Sequence, residues 1–218
     1  MQVAILGGTG PAGRGLAARL SSVGVEVIIG SRHKERAAET CERIKAQWPD
    51  RDLPLAAADN ERASRADIVI VATPWDAAAG TAASVAHALK GKVVISMANA
   101  LARVGDEFQP LVPPRGSVAA SVQAEVPGAL VAAAFHHLPA KELANLDHPM
   151  ESDVLICSDH RLATKVTADL VDLIPGLRPL DSGRLSNAAP IEAFAAVILQ
   201  LNVRYKTRAA VRLTGIDV

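Results

Sequence analysis

Gly8, Gly10 and Gly13 stand in the spacing G-x-G-x-x-G, after four apolar residues, Val3 to Leu6, and before a helix-forming run, Gly15 to Leu20. Such a stretch has the chemistry of a phosphate cradle. Gly8 is assigned the tight turn. Gly10 lets backbone N–H groups come within hydrogen-bonding distance of a pyrophosphate, and Gly13 lets the helix pack close on the strand. Thr9, Pro11 and Ala12 fill the turn, where the helix N-terminus presents free N–H groups and positive potential to an anion. One strand later comes Gly30-Ser31-Arg32, followed by Lys34 and Arg36. A site for the unphosphorylated adenosine ribose wants Asp or Glu here, and that carboxylate repels a 2′-phosphate; a hydroxyl with cations binds one. The spacing places Arg32 in the loop and Arg36 in the first turn of the next helix, so both converge on one phosphate. The alternative, a solvated basic helix start, is opposed by the helix dipole. These residues point to NADP(H) over NAD(H).

No acid/base pair accompanies that cradle. Short-chain reductases, whose glycine spacing Gly7, Gly10 and Gly13 would also fit, use a Tyr and a Lys one helical turn apart. Tyr205 is the only tyrosine, and four residues on stands Ala209. There is no G-x-S-x-G nucleophile elbow and no Gly-Lys-Ser/Thr ending to a P-loop. His136 and His137 follow an apolar run and either meet a ligand or are loop histidines satisfied by backbone. Spacing does not gather His136, His137, His148 and Cys157 into a metal cluster, so no metal is expected. What remains is hydride transfer, and if the acceptor is itself a redox cofactor, the protein need only orient two rings and exclude water.

The elements that must position these residues alternate strand and helix. Strands are expected at Val25–Ile29, near Leu55–Ala57, at Ile68–Ala72, Val93–Ser96, Leu130–Phe135, Asp153–Cys157 and Gly176–Leu180. Helices are expected over 35–47, 61–64, 76–89, 117–125 and 160–173. The continuous β-branched run Ile68 to Ala72 suits a strand buried on both faces. It ends at Thr73-Pro74-Trp75, beyond the carboxyl edge where ligands lie in open parallel sheets. Trp75 either walls that cleft or covers the sheet edge. Residues 103–116 are polar and proline-rich, an insertion or flap. The pattern specifies a doubly wound, mostly parallel α/β fold over residues 1–183, then a helical C-terminal segment, 184–218. Within that segment Ile191–Leu201 and Tyr205–Leu213 read as helices. The first, apolar nearly all round, asks for a partner subunit.

Composition narrows the class further. The 218 residues carry 23 Lys plus Arg against 23 Asp plus Glu, so no global field recruits nucleic acid or an anionic membrane. Aromatics make up 3%, too few for a base-stacking platform. Two cysteines form no disulfide framework. No apolar run reaches the roughly 18 residues needed to span a bilayer, so a soluble, cytoplasmic protein is expected.

Several segments taken together resemble one family. These are Leu6-Gly7-Gly8-Thr9-Gly10, Gly30-Ser31-Arg32, Thr73-Pro74-Trp75, the run His136 to Asp147, and Gly176 to Gly183 with Leu185-Ser186-Asn187. They look like the NADPH-dependent coenzyme F-420 reductases over nearly the whole chain, and the ending Asn202 to Gly215 is similar to their bacterial branch. The resemblance implies reversible hydride transfer between the nicotinamide C-4 position of NADP(H) and the C-5 position of the deazaflavin coenzyme F-420, in a homodimer. It implies that Thr9 to Ala12 bind the pyrophosphate and that Ser31, Arg32 and Arg36 bind the 2′-phosphate. Pro74, Trp75, Ala98 and Asn99 would hold the inner half of the cofactor, and His136, Leu138 and Ala140 would line the place where the two rings meet. Two positions depart from the family pattern: Met97 to Ala100 carries less proline than expected, and His137 replaces a smaller polar residue. Two other readings are an NADPH-dependent imine or small-ketone reductase, with a histidine as proton donor, and a non-catalytic NADP-sensing protein.

Overall fold

The computed structural model describes residues 1–216. In chain order the elements are β1 (Gln2–Leu6), α1 (Pro11–Ser22), β2 (Glu26–Ser31), α2 (Lys34–Gln47), β3 (Leu55–Asp59), α3 (Asn60–Ala63), β4 (Ile68–Val71), α4 (Trp75–Ser84) and α5 (Ala86–Leu89). There follow β5 (Val93–Ser96), β6 (Leu101–Val104), β7 (Glu107–Pro110), α6 (Val118–Glu125), β8 (Leu130–Ala133), α7 (Ala140–Leu143), β9 (Ser152–Ser158), α8 (Arg161–Asp172), β10 (Leu177–Asp181) and α9 (Ala188–Tyr205). The main sheet has eight strands in the order β10-β9-β8-β5-β4-β1-β2-β3. Strands β3, β2, β1, β4, β5 and β8 run parallel, β8 meets β9 antiparallel, and β9 and β10 run parallel to each other. The fold is therefore the expected doubly wound, mostly parallel α/β sheet, with a helical C-terminal segment.

Sequence explains the central layer directly. β1 and β4 are continuous apolar runs because helices cover both faces of the sheet. Val3, Ile5, Ile68 and Ile70 belong to one apolar layer, Ala4, Leu6, Val69 and Val71 to the other. Since β1 and β2 lie on one side of the switch in strand order and β4 on the other, the crevice at the carboxyl end of β1 is where a dinucleotide fits.

Several local expectations are corrected. The first helix starts at Pro11, not Gly15, since proline at the first helical position lacks only an N–H that has no helical partner there. The helix expected over 76–89 is interrupted at Val85, which leaves helical geometry (φ −124°, ψ 18°) between α4 and α5. The strand expected to reach Phe135 stops at Ala133, because Phe135 adopts a left-handed φ of 63° and the Leu138 N–H donates back to its carbonyl at 3.1 Å. Residues 103–116 are partly ordered as the antiparallel hairpin β6–β7, docked on α9 where Gln200 Oε1 accepts from the Phe108 N–H at 3.2 Å. No helix forms over 205–213. Instead α9 runs unbroken to Tyr205 and ends at a left-handed Lys206 (φ 50°), and the chain returns as an extended strap. Asp153 Oδ2 accepts from the Leu213 N–H at 2.6 Å, and the Asp153 N–H donates to the Val211 carbonyl at 2.7 Å. The last two residues of the expected segment 184–218 lie outside the described residues.

Candidate functional site

Gly7 carries the turn that the glycine spacing assigned to Gly8. Its φ of 77° is the left-handed one, and a Cβ there would lie 2.6 Å from Thr73 Cγ2 and 2.8 Å from the Thr73 backbone nitrogen. Gly8 is packed beneath the turn, where a Cβ would meet the Ile5 carbonyl oxygen at 2.9 Å. Gly13 lets α1 settle on the turn, since a Cβ would stand 2.9 Å from Gly8 Cα. Gly10 differs from these: it caps α1 with ordinary extended geometry (φ −74°), and the nearest atom to an added Cβ is 3.6 Å away. The fold thus leaves Gly10 open toward the cleft. Gly8 and Gly13 support the wall from behind rather than line it.

Three neighbouring cavities, each sharing lining residues with the next, lie beyond this turn. The outer one, about 380 Å3, joins Thr9, Gly10, Ser31, Arg32, Arg36 and Thr73. Neither Asp nor Glu lines it, so a dianionic phosphate meets cations and a hydroxyl without an opposing carboxylate. Ser31 is buried at the end of β2, and its Oγ accepts from the His33 N–H at 3.3 Å. His33 and Asn60 also line this cavity, and the Asn60 Oδ1 is buried without a hydrogen-bond partner among the described residues. Neither was singled out in sequence, because an isolated His or Asn after a strand carries no spacing signal. Lys34 points away, into a groove beside β3.

The second cavity, about 340 Å3, shares Gly10, Thr73 and Pro74 with the first and adds Pro11, Ala12, Trp75, Ala98 and Asn99. Trp75 therefore walls the cleft while its ring also packs on the apolar layer under α4. The innermost cavity, about 190 Å3, shares Ala12 and Asn99 with the second and is lined by His136, Leu138 and Ala140. Its far wall is α9, through Ala195, Ile198, Leu199 and Asn202, residues not named from sequence because helical periodicity cannot say which strand end a helix covers.

The polar atoms at this inner end are arranged unusually. Thr73 Oγ1, Asn99 Oδ1 and His137 Nδ1 are buried without hydrogen-bond partners among the described residues, and the backbone at Ala134 is what answers the buried His136 ring. Buried polar atoms are normally paired, so unpaired ones gathered around one path mark it as a place for a polar ligand or ordered water. Asn99 is held by its other end, Nδ2 donating to the His136 carbonyl at 2.5 Å. Burial pushes the His136 imidazolium down to about 3, and its neighbour His137 adds to the depression. At neutral pH His136 is an uncharged imidazole. His137 lines the same cavity, but one ring nitrogen is engaged: its Nε2 lies 2.9 Å from the Asp153 carbonyl oxygen, and burial lowers its pKa too. Among the described residues no group of three His, Cys, Asp or Glu is placed to hold a metal ion.

This geometry fits a dinucleotide on observations internal to the chain: the open Gly10, the carboxylate-free arginine end, and the orphan polar atoms inside. A family model described as NADP oxidoreductase, coenzyme F420-dependent, matches residues 2–100. An F420-dependent NADP reductase of Methanocaldococcus jannaschii is 36% identical over 224 residues, spanning 100% of both chains. Another, from Methanothermobacter marburgensis, is 36% identical over 99% of each. Among solved structures, a candidate F420 dependent NADP-reductase from Arthrobacter sp. FB24 superposes with a TM-score of 0.79 over 98% of this chain and 99% of that one, at 21% identity, a likeness of fold.

Proposed function

This chain belongs to the F420-dependent NADP reductase family, and from that membership and the shape of its cleft we propose that it transfers a hydride reversibly between NADP(H) and the deazaflavin coenzyme F-420. When bound, NADP(H) supplies or accepts the hydride at its nicotinamide ring. Within Thr9 to Ala12 the backbone N–H groups of Thr9 and Ala12 hold the pyrophosphate at the start of α1, since Pro11 has none and that of Gly10 donates to the Gly7 carbonyl at 3.1 Å. Ser31, Arg32 and Arg36 grip the 2′-phosphate, a hydroxyl and two guanidinium groups in one cavity. Thr73, Pro74, Trp75, Ala98 and Asn99 flank the inner half, with Thr73 Oγ1 and Asn99 Oδ1 available to polar ring substituents. The deazaflavin enters at His136, Leu138 and Ala140, where the lining is mostly apolar.

The observation that carries this reading is the row of adjoining cavities, cationic at one end and mostly apolar at the other. No general acid is needed along it. The imine or ketone reductase reading asks a histidine to give up a proton near neutral pH. Burial disfavours the imidazolium of both His136 and His137, so that reading lacks a charged histidine to draw on. Mixing the protein with NADPH and F-420 and following the loss of deazaflavin absorbance tests the reading. Turnover is expected; reduction of flavins with the deazaflavin untouched overturns the acceptor.

We further assign residues 1–183 to the dinucleotide domain and the helical segment beyond to a homodimer contact, working in the cytoplasm. The outer face of α9 supports this contact. Phe194, Val197 and Leu201 remain 43%, 50% and 40% exposed at helical spacing, and the nearby hairpin adds Val104 and Leu111. Among the described residues no helix is long and apolar enough to cross a membrane.

A further inference from the structure

Arg19 lies on the third turn of α1, the helix whose first turn meets the pyrophosphate, yet its side chain serves another segment. Only 5% of it is exposed. Its guanidinium donates to the carbonyls of Leu143 at 3.3 Å, His148 at 2.9 Å and Glu142 at 2.6 Å, and also to that of Asn145. All four acceptors belong to α7 and the loop after it. At four residues α7 is far too short to hold its own shape. Arg19 gathers its C-terminal carbonyls, and a cation there also answers the negative end of the helix. Burial lowers the guanidinium pKa, opposed by the Glu142 carboxylate, which itself pairs with Arg208 at 2.6 Å. Arg51 secures the next part of the loop, donating to the Leu146 carbonyl at 2.8 Å.

A second contact joins the same two elements. A Cβ at Gly15 would stand 2.8 Å from the Ala140 carbonyl oxygen and 2.9 Å from Leu143 Cβ. Glycine is needed there because α7 rests directly on the α1 backbone. Ala140 and Pro139 form one wall of the innermost cavity. One helix therefore carries the phosphate turn at its start and, through Gly15 and Arg19, the wall of the acceptor pocket along its side.

We propose that Arg19 is a positioning residue for the acceptor: it sets where the wall at Pro139 and Ala140 stands relative to the dinucleotide, without touching either ring. The proposal rests on the hydride-transfer reading above. Its physical basis is that approach distance governs hydride transfer steeply, and a displacement of about 1 Å made far from the chemistry lowers rates by up to about a hundredfold.

Arg19→Met removes the donors while keeping the length and apolar stem of the side chain. It is expected to lower kcat/KM for F-420 about tenfold to a hundredfold, with the larger part in KM for the deazaflavin. NADPH affinity, read by calorimetry, should change by less than about twofold. Arg19→Lys, with three donors for four acceptors, should restore part of the loss. Gly15→Ala displaces the same wall while leaving Arg19 intact, so it decides the matter should Arg19→Met fail to fold; the same split between the two cofactors is expected. Hydrogen exchange adds a readout that needs no turnover: amides of residues 140–148 should exchange faster in Arg19→Met, with those of residues 10–14 unchanged. Equal losses for both cofactors, or wild-type acceptor KM in folded variants, overturn the positioning role. If the wild-type protein leaves F-420 unreduced, the hydride-transfer reading falls instead, and the exchange pattern alone then upholds or overturns the positioning of the wall.

Discussion

Alanine at Gly10 and alanine at Gly13 should have opposite consequences, although the two glycines belong to one fingerprint. Gly13 is buried against the turn, and an added Cβ would lie 2.9 Å from Gly8 Cα, 3.1 Å from Ala72 Cβ and 3.2 Å from the Gly7 carbonyl oxygen. Backbone must shift to admit it. Overpacking of this kind costs about 1 to 3 kcal/mol, and the better helix propensity of alanine returns at most about 1 kcal/mol. Three close contacts, the nearest to backbone, put the cost at the upper end of that range, and a net loss of about 2 kcal/mol lowers Tm by about 4 to 8 °C in a chain of this size. Gly10 has an ordinary φ of −74° and no atom nearer than 3.6 Å to the added Cβ. Losing glycine at a helix N-cap for alanine costs less than about 1 kcal/mol, so Tm should fall by no more than about 4 °C. The methyl group, however, stands where a pyrophosphate must approach the backbone. Weakening one charge-assisted N–H contact costs about 1.5 to 3 kcal/mol, or about 10- to 100-fold in NADPH affinity. Scanning calorimetry of the free proteins and titration calorimetry with NADPH separate the two effects. A Gly10→Ala protein that binds NADPH like wild type would refute the placement of the pyrophosphate at this turn. A Gly13→Ala protein of undiminished Tm would refute the packing argument.

Arg32→Ala should weaken NADPH by about 1.5 to 3 kcal/mol, as for any charge-assisted contact, and NADH hardly at all; equal losses in parallel titrations would refute the 2′-phosphate assignment. Phe194→Glu places a charge on the exposed face of α9 and should convert a dimer to a monomer in sedimentation velocity; a wild-type protein already monomeric at high concentration would remove the dimer reading. Glu192 is buried, with its carboxylate oxygens accepting from the Val118 and Ala119 N–H groups at 2.8 and 3.1 Å. Desolvation pushes its carboxyl up from 4.5 to about 7, against those two donors. A carboxyl raised on folding makes its contribution in full below its unfolded value and loses it as pH rises through the folded value. The unfolding free energy of wild type minus that of Glu192→Gln should therefore fall between about pH 4.5 and 7 and level off above. A constant difference across chemical-denaturation series in that range would show that Glu192 does not titrate there.

The sequence by itself determined the sheet and the first half of the site. Val3 to Leu6 and Ile68 to Ala72 are runs that only a strand covered on both faces makes use of, and local spacing suffices to place Gly10, Ser31, Arg32 and Arg36 at strand ends. Those signals are short-range, so they survive being read in one dimension. The tertiary structure alone decided the rest. Gly7 rather than Gly8 takes the left-handed turn because Thr73, far along the chain, leaves no room for a side chain. Phe135 breaks its strand early, and the break brings His136 and His137 to one pocket while the Nε2 of His137 meets the Asp153 carbonyl. Residues 205–213 have helical composition yet form a strap, because Asp153, buried between Arg178 and Arg212, collects the returning backbone. Arg19, an unremarked cation on a polar-looking helix, turned out to be buried under four carbonyls. Each of these depends on groups distant in sequence competing for the same volume or the same hydrogen bond, and no window on one segment contains that competition.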